Sequence, residues 1–225
     1  MPRVICDTSS LISLMDTCTS GVLRFLREKA DARFLVPPGV YEEMVSRPLG
    51  IKRYGYSAVR LRKLVEDEIV ELLPGKDLAQ RTQEFLGLAN NSFFVDGRPL
   101  RILHEGEAEC LAALKGSRHP ILAVDEKTTR LLLEDPKRMR ELMQGEYQRK
   151  IVVNKTSMDR FQQLAGDMLV VRSTELVALA AKRGFFEEYG SEALEAYHAS
   201  LYALRYAGCS ISSDELLQYE RTLLD

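Results

Sequence analysis

Val4-Ile5-Cys6-Asp7-Thr8-Ser9-Ser10-Leu11 is the stretch on which the fold turns. A short apolar run ends on an acid, and small hydroxyl residues then lead into an apolar-periodic segment. The pattern predicts a buried strand with Asp7 at its C-terminal tip and a helix beginning around Thr8 to Ser10. In open α/β sheets, ligands bind at the carboxyl ends of strands, so Asp7 stands where chemistry is usually done. Leu122-Ala123-Val124-Asp125 ends the same way, on a continuous apolar run of the kind buried on both faces.

Working outward, strand-like and helix-like segments alternate. Gly21 to Lys29 reads as a helix, Arg33 to Val36 as a strand, and Pro37-Pro38 as the start of a helix from Gly39 to Ser46. Ser57 to Glu68 is an amphipathic helix with a basic face of Arg60, Arg62 and Lys63, followed by a strand at Ile69 to Leu73. Asp77 to Leu88 is helical, and Asn90 to Arg101 reads as a long polar loop. The helix of Glu105 to Lys115 leads into the strand ending at Asp125, and another helix starts at Lys127. Asp135 to Lys150 is a charged, exposed helix, Ile151 to Val153 a β-like run, and Thr156 to Ala165 a helix. Met168 to Val171 is read as a buried strand, followed by a helix from Ser173 to Gly184 and two more at 191–206 and 213–223. The alternation predicts an α/β chain, a three-layer α/β/α arrangement on a parallel sheet, in one domain. Residues 135–165 look like an insertion and 185–225 like a helical C-terminal extension.

Composition narrows the functional classes. Apolar residues make up 45% of the 225 positions and the formal charge is −2, which excludes a polybasic protein holding nucleic acid by bulk charge alone. No stretch approaches a membrane span and no leader pattern opens the chain, so a cytoplasmic protein is expected. Cys6, Cys18, Cys110 and Cys209 are scattered, and His104, His119 and His198 stand apart from one another. Disulfide and histidine-metal frameworks are therefore not expected.

The acids remain. Glu107 shares a helical stripe with Leu111 and Leu114 and so turns inward, where an unpaired carboxylate is costly. Glu109 lines up with Ala113, a shallower position, and Glu43 follows the second strand. Each acid has a plainer reading: Asp7 as a helix cap, Glu43 beside Glu42 as a solvated face, the others as helix starts opposing the macrodipole. A converging set of acids without bases repels itself unless a cation compensates, and all-oxygen ligands suit Mg²⁺ or Mn²⁺.

Four pieces in this order resemble the PIN-domain nucleases: Asp7-Thr8-Ser9-Ser10-Leu11, Val36-Pro37-Pro38-Gly39-Val40-Tyr41-Glu42-Glu43, Gly106-Glu107-Ala108-Glu109 and Val124-Asp125-Glu126. Gly106-Glu107-Ala108-Glu109 is also similar to the acidic helix start of the related flap-endonuclease fold. Val170 to Thr174 with Ala180 to Gly184 is similar to the tail of a toxin-like nucleic acid-binding subgroup, with Arg172-Ser173 where that subgroup usually carries Gly-Thr. The resemblance implies a metal-dependent endonuclease, usually acting on RNA, with single-stranded DNA as a second substrate class. Carried over by position, Asp7, Glu43, Glu107 and Asp125 would be catalytic and hold Mg²⁺ or Mn²⁺, with Glu109 and Glu126 as further metal ligands. Thr8, Ser9 and Ser173 would orient ligands or water.

An acidic pocket repels phosphate, so cations must line the approach. Lys127 and Arg130 are the best placed, with Arg53 a further candidate and Arg172 a bulky cation at the rim. Two competing readings stand beside the nuclease: a silent PIN-like scaffold or nucleic-acid binder, and a phosphotransfer hydrolase with Asp7 as nucleophile. The latter class generally wants a second acid two residues on, where this chain has Ser9. Leu194, Tyr197, Leu201 and Leu204 are read as core, with a homodimer or antitoxin-type surface as the other use of that face.

Overall fold

In the computed structural model, which describes residues 2–17, 19–75 and 78–221, the opening strand is the middle of the sheet. β1 (Arg3–Cys6) runs parallel to β2 (Arg33–Val36) on one side and to β6 (Ile121–Ala123) on the other. β3 (Val70–Leu72) and β8 (Leu169–Val171) complete a five-stranded, all-parallel sheet in the order β3-β2-β1-β6-β8. Val4, Ile5 and Cys6, with Phe34, Leu35, Leu122 and Ala123, are buried on both faces, so the central strands need no polar positions. The chain is α/β in three layers, as the alternation predicts.

Parallel strands require crossovers, and helices supply them. α1 (Thr8–Asp16) leaves the tip of β1 with Asp7 as its N-cap, and α2 (Gly21–Ala30) returns the chain to β2. α4 (Gly55–Glu66 in the chain, following the short α3, Pro38–Tyr41) leads to β3. α5 (Leu78–Ala89) and α6 (Glu105–Leu114) then pack together and lead into β6. α7 (Lys127–Glu134) leaves the tip of β6, and α10 (Ser173–Ala181) leaves the tip of β8.

Several sequence expectations change. The helix expected over 39–46 is four α residues followed by a π turn, Glu42–Ser46, in which the Arg47 amide donates to the Glu42 carbonyl at 2.9 Å. The Asn90–Arg101 loop is a hairpin, β4 (Phe93–Val95) and β5 (Arg98–Pro99), and β7 (Ile151–Val153) pairs antiparallel with β4 in a second, small sheet. The hairpin closes on Asp96-Gly97, both at positive φ, a local turn signal inside the expected loop, whereas the pairing of β4 with β7 joins residues some 60 positions apart and no local pattern encodes it. β8 is an edge strand rather than a buried one, with Leu169 57% exposed.

The 135–165 segment is tied in by that small sheet and by α8 (Pro136–Tyr147) and α9 (Lys155–Ala165). Met139 and Met143 bury one face of α8, which is thus not exposed all round, and Phe161 meets Phe85 of α5 edge to face at 5.8 Å. In the C-terminal part, α11 (Ala193–Ala207) packs against α10 and α1 with Tyr197, Leu201 and Leu204 buried, and α12 (Ser213–Arg221) lies against α11. Leu194 stays out of the core. Among the described residues no helix is long and apolar enough to cross a membrane. Cys18, Asp77 and the end of the helix expected to reach 223 lie outside the described residues.

Candidate active site

The strands that carry the twin Asp endings, β1 and β6, pair directly, so their tips are adjacent, and the Asp7 amide donates to the Ala123 carbonyl at 2.9 Å. Beside these tips lies a recess of about 360 Å³ lined by Asp7, Thr8, Ser9, Glu43, His104, Glu107 and Glu126. A larger cavity of about 770 Å³ sits at the opposite edge of the sheet, around Pro2, Lys115 to Ile121 and Met168-Leu169, with Asp167 its one carboxylate.

Three of the acids are held by helix starts. Asp7 caps α1: its Oδ2 accepts the Ser9 amide at 3.0 Å and the Ser9 hydroxyl at 2.7 Å. Glu126 caps α7, accepting the Thr129 amide at 2.7 Å and the Thr128 hydroxyl at 2.5 Å. Glu107, in the first turn of α6, accepts the His104 amide at 2.7 Å and the Thr129 hydroxyl at 2.5 Å. The plain reading of these residues as helix-start acids is thus correct. It does not compete with a site, because three helix N-termini aim at one recess and bring their acids with them.

Glu43 comes from the π turn after α3, a geometry that recurs at functional positions. A Cβ on Gly106 would stand 2.8 Å from Glu43 Oε2, so glycine there lets the carboxylate rest against the start of α6.

Asp125 is placed differently. It is buried, and its carboxylate accepts both the amide and the hydroxyl of Ser173 at 2.7 Å each. It faces β8 and α10, not the recess, and Glu126 takes the fourth place among the lining acids. Successive residues leaving a strand tip point to opposite sides, and choosing between Asp125 and Glu126 needs the neighbouring strand. Ser9 joins the two layers: its hydroxyl donates to Asp7 and accepts the Asp125 amide at 3.1 Å.

Glu109 is also drawn away. It accepts the Gly39 amide at 2.8 Å and lines a neighbouring cavity of about 580 Å³ that shares Glu43 and His104 with the recess. A Cβ on Gly39 would come within 2.4 Å of Glu109 Oε2. Glu109 therefore positions α3, and through it the turn that carries Glu43.

No family model, curated protein or solved structure matches the chain. What the recess does must be read from its own electrostatics.

Burial pushes the Glu107 carboxyl up to about 7; the Thr129 and His104 hydrogen bonds oppose that, and the charges of Asp7 and Glu126 add to it. Asp7 is likewise raised by burial, against its bonds to Ser9 and with the charge of Glu126 pushing the same way. Glu43 is raised by burial and by Asp7, partly relieved by Arg47 and His104. These acids feel one another across the recess with little basic compensation, the condition under which carboxylates hold protons or a cation.

Thr8 adds an independent observation. It is 8% exposed, lines the recess, and its hydroxyl finds no hydrogen-bond partner among the described residues. A buried hydroxyl without a partner marks a place for a ligand or water. The donor set of carboxylates and a hydroxyl fits a hard divalent cation. Among the described residues no three of His, Cys, Asp and Glu stand close enough together to hold a metal ion between them.

The cations sort clearly. Lys127 is exposed at the start of α7, directly after Glu126. Arg130 lies 3.7 Å from Glu134 and 3.8 Å from Glu215 and belongs to the packing of α7. Arg172 is not at a rim. It is buried, 2.5 Å from Glu175 and 3.0 Å from Glu215, and it donates to the Ser210 carbonyl at 2.9 Å. Arg53 is exposed and lies over the Tyr54 ring, 5.3 Å from its centroid.

His104 and Thr129 were missed at the level of sequence. His104 directly precedes the Gly106-Glu107 piece, a signal in principle. Thr129 carries none, because helical phase alone separates it from Thr128.

Proposed function

We propose that this protein is a metal-dependent endonuclease, similar to the PIN-domain nucleases, that hydrolyses phosphodiester bonds in RNA. The observation that carries the reading is the recess lined by Asp7, Glu43, Glu107 and Glu126 beside the unpartnered hydroxyl of Thr8. Mg²⁺ or Mn²⁺ bound there would supply a Lewis acid for the phosphoryl oxygens and an activated water as nucleophile.

The chain's own residues account for the rest. Ser9 holds Asp7 in one rotamer through two hydrogen bonds, and Thr129 fixes Glu107 and Glu126 relative to each other. Asp125 acts from behind: by gripping Ser173 it keeps the tips of β6 and β8 together, and its amide orients the Ser9 hydroxyl. Lys127, beside Glu126, is the cation nearest in sequence for a phosphate approaching the acids.

RNA cleavage in Mn²⁺, measured on a generic unstructured RNA, tests the reading. Cleavage by the wild type and its loss in Asp7→Asn are expected. Binding without cleavage in any divalent metal would sink it in favour of a silent PIN-like nucleic-acid binder or scaffold. The specific observation favouring that second reading is the spacing of the carboxylates, no three of which stand close enough to hold a metal ion among the described residues. A homodimer or antitoxin-type partner would use the outer side of α11, where Leu194, Tyr202 and Tyr206 are exposed. The buried free thiols of Cys6, Cys110 and Cys209 fit a reducing, cytoplasmic setting.

A further inference from the structure

An acid recess needs a way to hold a polyanion next to it, and two of the four cations expected for that task are engaged elsewhere. Arg172 and Arg130 are tied into ion pairs inside the fold. Charge along the chain is, however, strongly segregated at one place. Residues 44–65 carry six lysines and arginines and no acid, in a chain whose formal charge is −2. This stretch begins directly after Glu43 and runs from the π turn into α4.

It is also where aromatic side chains reach solvent. Tyr56 is 75% exposed and Tyr54 49% exposed. Each carries a guanidinium on its ring: Arg53 lies 5.3 Å from the Tyr54 centroid and Arg60 5.6 Å from that of Tyr56. Lys52 and Arg53 are exposed and make no ion pair among the described residues. Burying neither ring, the fold gains little from them. Exposed rings interleaved with free cations are what an unpaired strand uses, its bases on the rings and its phosphates on the cations. A duplex hides its base faces and gains only the charge term.

The patch is fixed relative to the recess. The Ser57 hydroxyl donates to Asp16 at 3.0 Å, and Arg60 donates to the Met15 carbonyl at 2.6 Å. Both acceptors are at the last turn of α1, the helix that Asp7 caps. The nine residues of α1 span roughly 13 Å at the α-helical rise. A strand with bases on the tyrosines therefore has its backbone within a few nucleotides of the acids.

We infer that Tyr54 and Tyr56, with Lys52 and Arg53, form a stacking platform that binds the unpaired RNA strand and feeds it to the acid recess. The inference rests on the endonuclease reading for the identity of the strand, but it is tested without chemistry. Binding of a labelled, unstructured RNA is followed by fluorescence anisotropy in EDTA, with its duplex and a single-stranded DNA of the same sequence as further arms. Wild-type protein binds the single RNA strand more tightly than the duplex. Tyr54→Ala with Tyr56→Ala weakens RNA binding by about tenfold or more, while Tyr54→Phe with Tyr56→Phe retains it. Arg53→Gln lowers the slope of log affinity against log salt by about one.

Unchanged affinity in the double alanine variant, or equal affinity for duplex and single strand, overturns the platform. So does a variant that changes only the sedimentation of the protein, since the patch is then an interface between copies. Tighter binding of the DNA overturns the assignment to RNA. Mn²⁺ binding and circular dichroism of each variant establish that the fold and the recess are intact. If the wild type binds as expected but never cuts, the endonuclease reading fails and the platform stands; if it cuts but the variants bind normally, the reverse holds.

Discussion

Ser9 sits between two acids with different tasks, donating its hydroxyl to Asp7 and accepting from the Asp125 amide. Asp125 itself is spent on Ser173 and Glu126 on the recess, so isosteric amides at the two positions should fail in different ways. Asp125→Asn loses one of two charge-assisted hydrogen bonds in a buried place and should lower unfolding free energy by about 2 kcal/mol. Glu126→Gln should leave stability within about 1 kcal/mol, because an N-cap amide oxygen still accepts, but should weaken Mn²⁺ binding. Denaturant unfolding and calorimetric titration with Mn²⁺ separate the two. Loss of Mn²⁺ binding in Asp125→Asn alone would reverse the assignment.

Glu107 makes a second residue-level prediction, about pH. Its ordinary value of 4.5 is raised to about 7 in the fold, burial being the main cause. Below 4.5 both folded and unfolded chains hold the proton and the fold suffers no penalty. Between 4.5 and 7 the unfolded chain releases its proton while the folded one keeps it, so metal-free protein loses stability as pH rises. The loss is complete above the folded value and amounts to at most about 3 kcal/mol. Thermal denaturation from pH 5 to pH 8 in EDTA should show this decline, Mn²⁺ should reverse it, and Glu107→Gln should flatten it. A variant with the wild-type slope would assign the proton elsewhere.

At the level of elements, the site depends on how closely the π turn approaches α6. Gly106 leaves room for Glu43 Oε2, and Glu109 reaches across to hold the Gly39 amide. A methyl at position 106 would push aside only the end of a flexible side chain. Gly106→Ala should therefore change stability little, the gain in helix propensity offsetting the shift, yet weaken Mn²⁺ binding severalfold by displacing Glu43. An alanine variant that binds Mn²⁺ normally would remove Glu43 from the ligand set. The elements were themselves largely legible. The strand tips at Asp7 and Asp125, the inward turn of Glu107 and most helices follow from apolar period and capping residues, which act within a few positions of the chain. The π turn was not legible, because one extra residue in a turn leaves no periodic trace. Nor was the pairing of β7, itself readable as a β-like run, with β4, because that partner is distant in the chain; the β4–β5 hairpin does carry a local signal, Asp96-Gly97, inside the expected loop.

Across the whole molecule, the C-terminal helices are locked onto the sheet by a polar network. Arg172 leaves the tip of β8, pairs with Glu175 of α10 and Glu215 of α12, and donates to Ser210, while the Tyr219 hydroxyl also donates to Glu175. Burial pushes Glu175 up, but Arg172 outweighs it and holds the carboxyl below its usual range. Glu215 is held at about 2, its Ser212 bonds and Arg172 overcoming its own burial. The Ser210 amide meanwhile donates to the Asp125 carbonyl at 3.1 Å, so the network reaches the back of the site. Arg172→Ala would leave these carboxylates uncompensated and should cost about 3 kcal/mol. Denaturant unfolding measures the loss, and faster hydrogen exchange across α12 should accompany it. A neutral effect would mean that Arg172 faces solvent after all.

Local pattern was enough for the α/β class, the parallel sheet and the acids brought to one edge of it, because strand tips and helix starts are encoded within a few residues. Which acids face the recess was a tertiary decision. Asp125 and Glu126 are chemically alike and adjacent, and only the arrival of Ser173 from β8 turns one inward and leaves the other to the site. The same holds for the cations: Arg172 and Arg53 look equivalent as sequence, but carboxylates brought from α10 and α12 enclose the first and the second stays exposed. Side-chain direction at a strand tip depends on neighbours far away in the chain, and those neighbours exist only once the sheet has formed.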